Sequence, residues 1–179
     1  MKYALYILTG WLMTTSALVS CEHQQSNERI AKERNSETFS SDAEKDAQLV
    51  VDLTSSNYAE IEMAKKARER SEDKEIRDLP SMLEADHTTF VHQLQAYAAG
   101  KNIALPGAPS TGAVENANTM AEKNQPAEFD KKWCADLLGQ HEQTISKMEG
   151  AVKDATDPDL KAWINNTLPK IRVHRDQLK

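Results

Sequence analysis

The sequence predicts an all-α protein in which two helical hairpins, joined by a long crossover loop, form a four-helix bundle. Apolar residues recur every three or four positions over four long segments, which is the pattern of amphipathic helices. β-Branched and aromatic residues form no long run, and the longest apolar β-type stretch is Leu49-Val50-Val51. A segment rich in Pro and Gly, residues 101–126, divides the helical segments into two pairs.

Composition excludes several functional classes. The chain has 179 residues, 28% of them charged and 6% aromatic, and carries a formal net charge of -6. This acidic balance argues against a nucleic-acid partner, because phosphate binding requires a basic face. With six Gly and six Pro residues, the chain has neither a Gly-rich phosphate loop nor a collagen-like repeat. The length fits one domain with a tail.

The first segment, residues 1–20, has the plan of a secretory signal peptide. Lys2 precedes an apolar stretch over residues 3–19 that is too short and too polar to be a spanning helix. Leu18-Val19-Ser20-Cys21 resembles a bacterial lipobox, which predicts lipidation of Cys21 and membrane attachment in the cell envelope, in the outer membrane or facing the periplasm. The alternative is an ordinary signal peptide followed by a chance cysteine. If Cys21 is lipidated, Cys134 has no disulfide partner in this chain.

Residues 21–42 are interpreted as a flexible tether and residues 43–179 as the helical domain. From Glu22 to Ser40 the chain is almost entirely polar, so it cannot bury enough apolar surface to offset its ordering entropy. The alternative is a tail that binds a partner, although the sequence identifies no particular protein partner.

The first two helices are predicted on either side of a break at Ser71. Ser41-Asp42-Ala43-Glu44 fits a capping box, which starts a helix that ends near Arg70. The second helix ends near Gly100, and Pro80 either kinks it or moves its start to Ser81. The expected inward stripes are Val50, Leu53, Asn57, Glu60, Ala64 and Ala67 in the first helix, and Ile76, Leu79, Leu83, His87, Phe90, Leu94 and Tyr97 in the second.

The crossover and the last two helices follow from similar signals. A loop over residues 101–126 that spans the bundle would let the second and third helices run parallel, as in ferritin-like folds. The third helix starts after Pro126, and Asp157-Pro158-Asp159 predicts the start of the fourth. Their stripes are Cys134, Leu138, His141, Ile145, Met148 and Val152, and Leu160, Ile164, Thr167, Ile171, His174 and Leu178, with Trp133 and Trp163 flanking them.

Four polar residues, one on each stripe, are predicted to lie at one depth. At 1.5 Å per residue, Glu60, His87, His141 and His174 fall about 18, 20, 20 and 14 Å from the same end of the bundle. Imidazole and carboxylate groups bind first-row transition metals, so these four residues are a candidate mononuclear metal site. The alternative is a buried hydrogen-bonded network that fixes the register of the helices.

A di-iron centre is not predicted. Such a centre needs two Glu-x-x-His pairs, and the chain has one, at Glu84 and His87. Leu138 and Ile171 occupy the matching positions before the other two histidines. The secondary candidate ligands are Glu84, Asp86 and Glu142.

An ordered series of short motifs is similar to a known family. The motifs are Asp46, Glu60-Ile61, Asp86-His87, Leu105-Pro106, Phe129-Asp130, His141-Glu142, Leu168-Pro169 and His174. Over residues 43–179 they resemble the domain of unknown function 4142, a bacterial envelope family often labelled as predicted outer membrane proteins. The resemblance implies a ferritin-like helical fold and an envelope location, and it implies no activity. Trp133, where the family usually has Tyr, and Pro80 depart from the pattern.

The leading functional hypothesis is a lipid-anchored, non-enzymatic helical bundle with a binding or stress-related role. No nucleophile with a base in reach and no Cys-x-x-Cys pair appears in the sequence, so no enzymatic activity is predicted. The alternative is a metal-binding or redox bundle whose cofactor is a transition-metal ion.

Overall fold

The computed structural model describes residues 26–179, apart from the side chains of Glu75 and Arg77, and this part of the chain is helical without strands. The predicted signal peptide over residues 1–20 and the predicted lipidation site Cys21 lie outside the described residues. The helices are α1 (Asn27–Thr38), α2 (Ser41–Arg70), α3 (Lys74–Lys101), α4 (Thr111–Lys123), α5 (Pro126–Asp154) and α6 (Pro158–Gln177). Between residues 26 and 179, no helix is both long enough and apolar enough to cross a membrane.

The four longest helices, α2, α3, α5 and α6, are the four that the sequence predicts. Every residue of the predicted stripes of α2 and α6 is buried. The predicted start of α6 is confirmed, because the Asp157 side chain accepts hydrogen bonds from the backbone N–H groups of Asp159 and Leu160. Helix α3 begins at Lys74 and continues through Pro80, so the alternative start at Ser81 is wrong.

Contacts between helix ends define the directions of these helices. At one end, Ser71 Oγ after α2 donates to Asp130 at the start of α5, at 3.1 Å. At the opposite end, Lys101 closes α3 and pairs with Asp157 at the start of α6, at 2.7 Å. There, Asp46 near the start of α2 also accepts the backbone N–H of Thr156. Helices α3 and α5 therefore run in the same direction, and the segment between them connects opposite ends of the two helices.

Helix α1 corrects the prediction of a flexible tether over residues 21–42. Residues 27–38 form a helix that packs on α2, with Ala31 and Asn35 buried. The side chain of Asn35 donates to the Ala104 carbonyl at 2.9 Å and accepts from the Ala104 N–H at 2.8 Å. The sequence argument failed because it counted apolar residues, whereas polar contacts do much of the work of holding this helix. Besides those of Asn35, Gln48 of α2 donates to the Lys32 carbonyl, and Lys32 pairs with Asp52.

Helix α4 corrects the expectation of a structureless crossover. Ser110 caps it by accepting from the N–H of Ala113, and Ala117 and Met120 bury one face. At its far end, Arg70 donates to the carbonyl of Asn124. The crossover therefore contains 13 residues of helix that cover part of α2.

Two local predictions are wrong. The predicted capping box at the start of α2 is absent, because Ser40 is the N-cap without a side-chain hydrogen bond and Ser41 has φ 52°. In α5, Trp133 and Leu137 are fully buried in place of Cys134 and Leu138, which are half-buried. Trp133 reaches the core because its indole N–H donates to the Met63 carbonyl at 3.0 Å.

Candidate metal centre

The polar residues of the predicted layer lie between two apolar clusters of the core. One cluster contains Leu53, Phe90, Ile145 and Ile171, one residue from each of the four long helices. The other contains Met63 of α2, Leu83 of α3, Leu137 of α5 and Leu178, which follows α6 directly. Each long helix therefore passes from one cluster to the other, and it does so at Glu60, His87, His141 or His174. The layer is closed off by hydrocarbon on both sides along the helix axes.

The structure brings all four predicted residues together. Glu60, His87, His141 and His174 are 0–3% exposed. One ring nitrogen from each histidine lies within 4.8 Å of the others, and the ring centroids are 5.3–5.5 Å apart. Glu60 Oε2 lies 3.2 Å from His87 Nε2 and 3.3 Å from His141 Nδ1. The sequence prediction that they share one depth is therefore confirmed.

Each histidine is oriented by an acceptor outside the cluster. His87 Nδ1 faces Asn57 Oδ1 at 2.7 Å, and Asn57 is itself fixed because its amide group donates to the Leu53 carbonyl. His141 Nδ1 faces the carbonyl of Leu137 at 2.9 Å. Each of these contacts requires a proton on Nδ1, since an oxygen acceptor cannot donate.

The third histidine is held through its other nitrogen. His174 Nε2 faces Asp86 Oδ2 at 2.9 Å, and the second carboxylate oxygen of Asp86 pairs with Lys170 at 2.7 Å. Burial raises the pKa of Asp86, but the hydrogen bonds from Lys170 and His174 outweigh it and lower that pKa. The carboxylate therefore stays ionised and keeps the proton of His174 on Nε2.

Four buried atoms of the cluster, one from each residue, have no hydrogen-bond partner among the described residues. The atoms are Glu60 Oε2, His87 Nε2, His141 Nε2 and His174 Nδ1. Buried polar atoms in native proteins are almost always paired, so a group of orphans in one layer needs an explanation. Imidazoles whose second nitrogen donates to a carboxylate or carbonyl are the usual arrangement around a bound metal.

Burial determines the protonation states of the cluster. It raises the pKa of Glu60 to about 8 and lowers that of His141 to about 4. Burial also lowers the pKa of His87 well below its ordinary value, helped by the two neighbouring histidines, and it lowers that of His174 against the opposing effect of Asp86. Near neutral pH the three histidines are therefore neutral, which is the state in which imidazole binds a metal.

The donor set fits one transition-metal ion. Metal–nitrogen distances of about 2.1 Å place any two ligand nitrogens at most about 4.2 Å apart, so the separations of up to 4.8 Å need only small side-chain rotations. Three neutral imidazoles and one carboxylate suit Zn, Fe, Cu or Ni rather than Mg or Ca, which prefer oxygen.

The secondary candidates do not join the cluster as ligands. Glu84 pairs with Arg68, and Glu142 is exposed on the outer side of α5. Asp86 acts on His174 rather than contributing a free oxygen to the centre. Cys134 is half-buried, and burial raises the pKa of its thiol.

Sequence reasoning missed the residues that orient the ligands. The sequence predicts Asn57 on the inward stripe and assigns it no role, although its position three residues before Glu60 is a signal that the two side chains share a face. Asp86 is a secondary candidate ligand in the sequence, whereas in the structure it binds His174 of α6. The Leu137 carbonyl has no sequence signal at all, because every residue has a carbonyl.

The described fold and cluster define an all-α protein with a histidine-rich site in its interior. The chain belongs to the family described as domain of unknown function (DUF4142), whose pattern matches residues 23–179. This match starts before α1, in agreement with the packing of α1 against α2. No significant match was found among curated proteins or among solved structures.

Proposed function

We propose that this protein binds one transition-metal ion through Glu60, His87, His141 and His174. The observation that carries the proposal is a set of four buried atoms without hydrogen-bond partners. They belong to three histidines that each place a ring nitrogen within 4.8 Å of the others and to Glu60, whose Oε2 lies 3.2 Å from His87 Nε2. In a hydrogen-bonded network, the competing interpretation, these atoms would be paired with one another or with neighbours. Leaving them unpaired costs about 1–3 kcal/mol for each group, which a bound cation would offset.

The surroundings of the cluster support a metal centre further. All three imidazoles are held by acceptors outside the cluster, so their free nitrogens are oriented before any metal arrives. Outer partners of this kind fix the tautomer and raise the basicity of the ligands. A metal ion bound here would supply a Lewis-acid or redox centre, and the residues of the chain would hold it in a site closed by hydrocarbon along the helix axes.

We also propose that α2, α3, α5 and α6 form a ferritin-like four-helix bundle attached to the cell envelope by lipid on Cys21. The parallel directions of α3 and α5 and the full-length connection between them support the bundle topology. The lipobox-like sequence Leu18-Val19-Ser20-Cys21 supports the anchor. In this arrangement, α1 follows the anchor within a few residues and attaches the domain close to the membrane surface.

Metal content of the purified protein tests the metal proposal. Protein prepared without chelator should contain about one transition-metal ion per chain by elemental analysis. His141→Ala should lose most of this metal, because it removes one of four ligands. His92→Ala is the matched control, since His92 is an exposed histidine of α3 and should leave the metal content unchanged.

Thermal unfolding separates the metal centre from the hydrogen-bonded network. If the cluster binds metal, His141→Ala should reduce stability mainly when zinc, iron or copper is supplied, because only the folded wild type gains binding energy. A network would instead lose stability equally with chelator and with metal. Wild-type protein that takes up no metal under any of these conditions would refute the proposal.

A further inference from the structure

A cavity between α2 and α5 is open to the protein surface and borders the cluster at one residue. It has a volume of about 160 Å³, and Glu60 is the member of the cluster that lines it. Ser56 and Ala59 line it from α2, and Gln140 and Thr144 line it from α5. The three histidines do not line this cavity. A ligand that enters here would therefore approach the metal on the side of Glu60.

The small side chains of α2 keep the cavity open. Ser56 lies one helical turn before Glu60, and Ala59 lies immediately before it. A larger side chain at either position would fill the space between the two helices. The same two residues also line a second, outer cavity of about 300 Å³. Lys147 lines both cavities and is exposed at the rim. The two cavities therefore adjoin at these three residues.

Size and polarity restrict what this approach can admit. A water molecule takes about 30 Å³ in the liquid, so the inner cavity holds about five waters or a ligand of a few atoms. Sites for drug-sized ligands are larger, at about 300–1,000 Å³. The serine, threonine and glutamine side chains on its walls offer hydrogen-bond donors to such a ligand.

Charge favours an anion once a metal is bound. The charged residues that line the inner cavity are Glu60 and Lys147. A divalent cation beside the Glu60 carboxylate leaves one net positive charge. Outside the cavity, Asp52 is shared between Lys147 at 2.8 Å and Lys32 at 2.6 Å, and Glu28 pairs with Lys32. These four outer groups sum to zero formal charge, so the positive metal centre dominates.

We propose that the α2–α5 cavity admits a small inorganic anion, which binds the metal at a coordination position beside Glu60. Four protein ligands leave one or two positions for an exogenous ligand when a metal is five- or six-coordinate. The inference rests on the proposed metal centre and adds to it the route and the chemical class of the ligand. Hydrocarbon clusters close the layer along the helix axes, so this lateral cavity provides the route to it.

Cobalt-loaded protein with azide as the probe tests this proposal. The visible bands of bound Co²⁺ should change in a saturable way as azide is added to the wild type. Ala59→Phe should weaken azide binding at least tenfold while the protein keeps about one Co²⁺ per chain, because the new ring fills the cavity. Ala162→Phe is the matched control, since Ala162 is an exposed alanine of α6 and should leave azide binding unchanged.

A second variant covers the case in which Ala59→Phe fails to fold or to load. Lys147→Met should weaken azide binding several-fold at low salt, whereas Lys153→Met, at an exposed position of the same helix, should not. Wild type that binds Co²⁺ but shows no spectral response to azide would overturn this inference and leave the metal centre standing. Unchanged azide affinity in loaded Ala59→Phe or in Lys147→Met would also overturn it. Wild type that binds no Co²⁺ would refute both proposals.

Discussion

Replacing Glu60 with Gln should stabilise the metal-free protein at neutral pH. Glu60 is 3% exposed, and burial raises its pKa from 4.5 to about 8. The folded protein therefore keeps the proton on Glu60 through a pH range in which the unfolded chain has lost it. An amide has nearly the same shape as the protonated acid, but it does not titrate.

The sign and size of the effect follow from proton linkage. Because the folded pKa is the higher one, the contribution of Glu60 to stability is complete below pH 4.5 and is lost as the pH rises towards 8. At about 1.4 kcal/mol per pKa unit, the loss accumulated by pH 7 is about 3 kcal/mol. Glu60→Gln should therefore be close to wild type near pH 4.5 and about 3 kcal/mol more stable at pH 7.

Denaturant unfolding of both proteins with chelator, at several values between pH 5 and 8.5, measures this difference. The buried histidines titrate in the opposite sense, since burial lowers their pKa values, but they are present in both proteins and cancel in the comparison. Saturating zinc should reverse the order, because the wild type keeps four ligands and the variant loses its carboxylate. Parallel pH profiles for the two proteins would show that Glu60 is not buried in its acid form and would refute the reasoning.

The other predictions concern the groups around the centre and the anchor. Asp86→Asn should weaken metal binding about 10- to 100-fold in a competition titration with a chromogenic chelator, because it removes the carboxylate that orients His174. An equal loss of affinity in Glu84→Gln, an ion-paired residue of the same helix, would argue against this role. Trp133→Phe should lower the free energy of unfolding by about 1–2 kcal/mol, because the hydrogen bond from the indole N–H to the Met63 carbonyl is lost. The metal content should not change. Equal stability of the two proteins would show that this hydrogen bond contributes nothing. Cys21→Ser should move the protein from the membrane to the soluble envelope fraction, and retention on membranes after a salt wash would contradict the lipobox interpretation.

Helix periodicity explains how much of the fold could be predicted. The inward stripes of α2 and α6 follow from three- and four-residue spacing, and local signals such as Asp157-Pro158 place a helix start without any tertiary information. The same rules failed where a single contact across the structure decided the outcome. Asn35 holds α1 through the Ala104 backbone, and Trp133 replaces Cys134 in the core because its N–H finds the Met63 carbonyl.

The candidate site also has a part that the sequence predicts and a part that only the tertiary structure decides. The sequence by itself determined which four residues occupy one layer, because a fixed rise per residue converts helix position into depth. Only the tertiary structure decided which ring nitrogens are free, since the acceptors that orient the imidazoles include the Asp86 carboxylate on a different helix and a backbone carbonyl. The tertiary structure also decided that there is a cavity beside Glu60. The space between α2 and α5 depends on how closely the two helices pack, and no spacing along the chain encodes that distance.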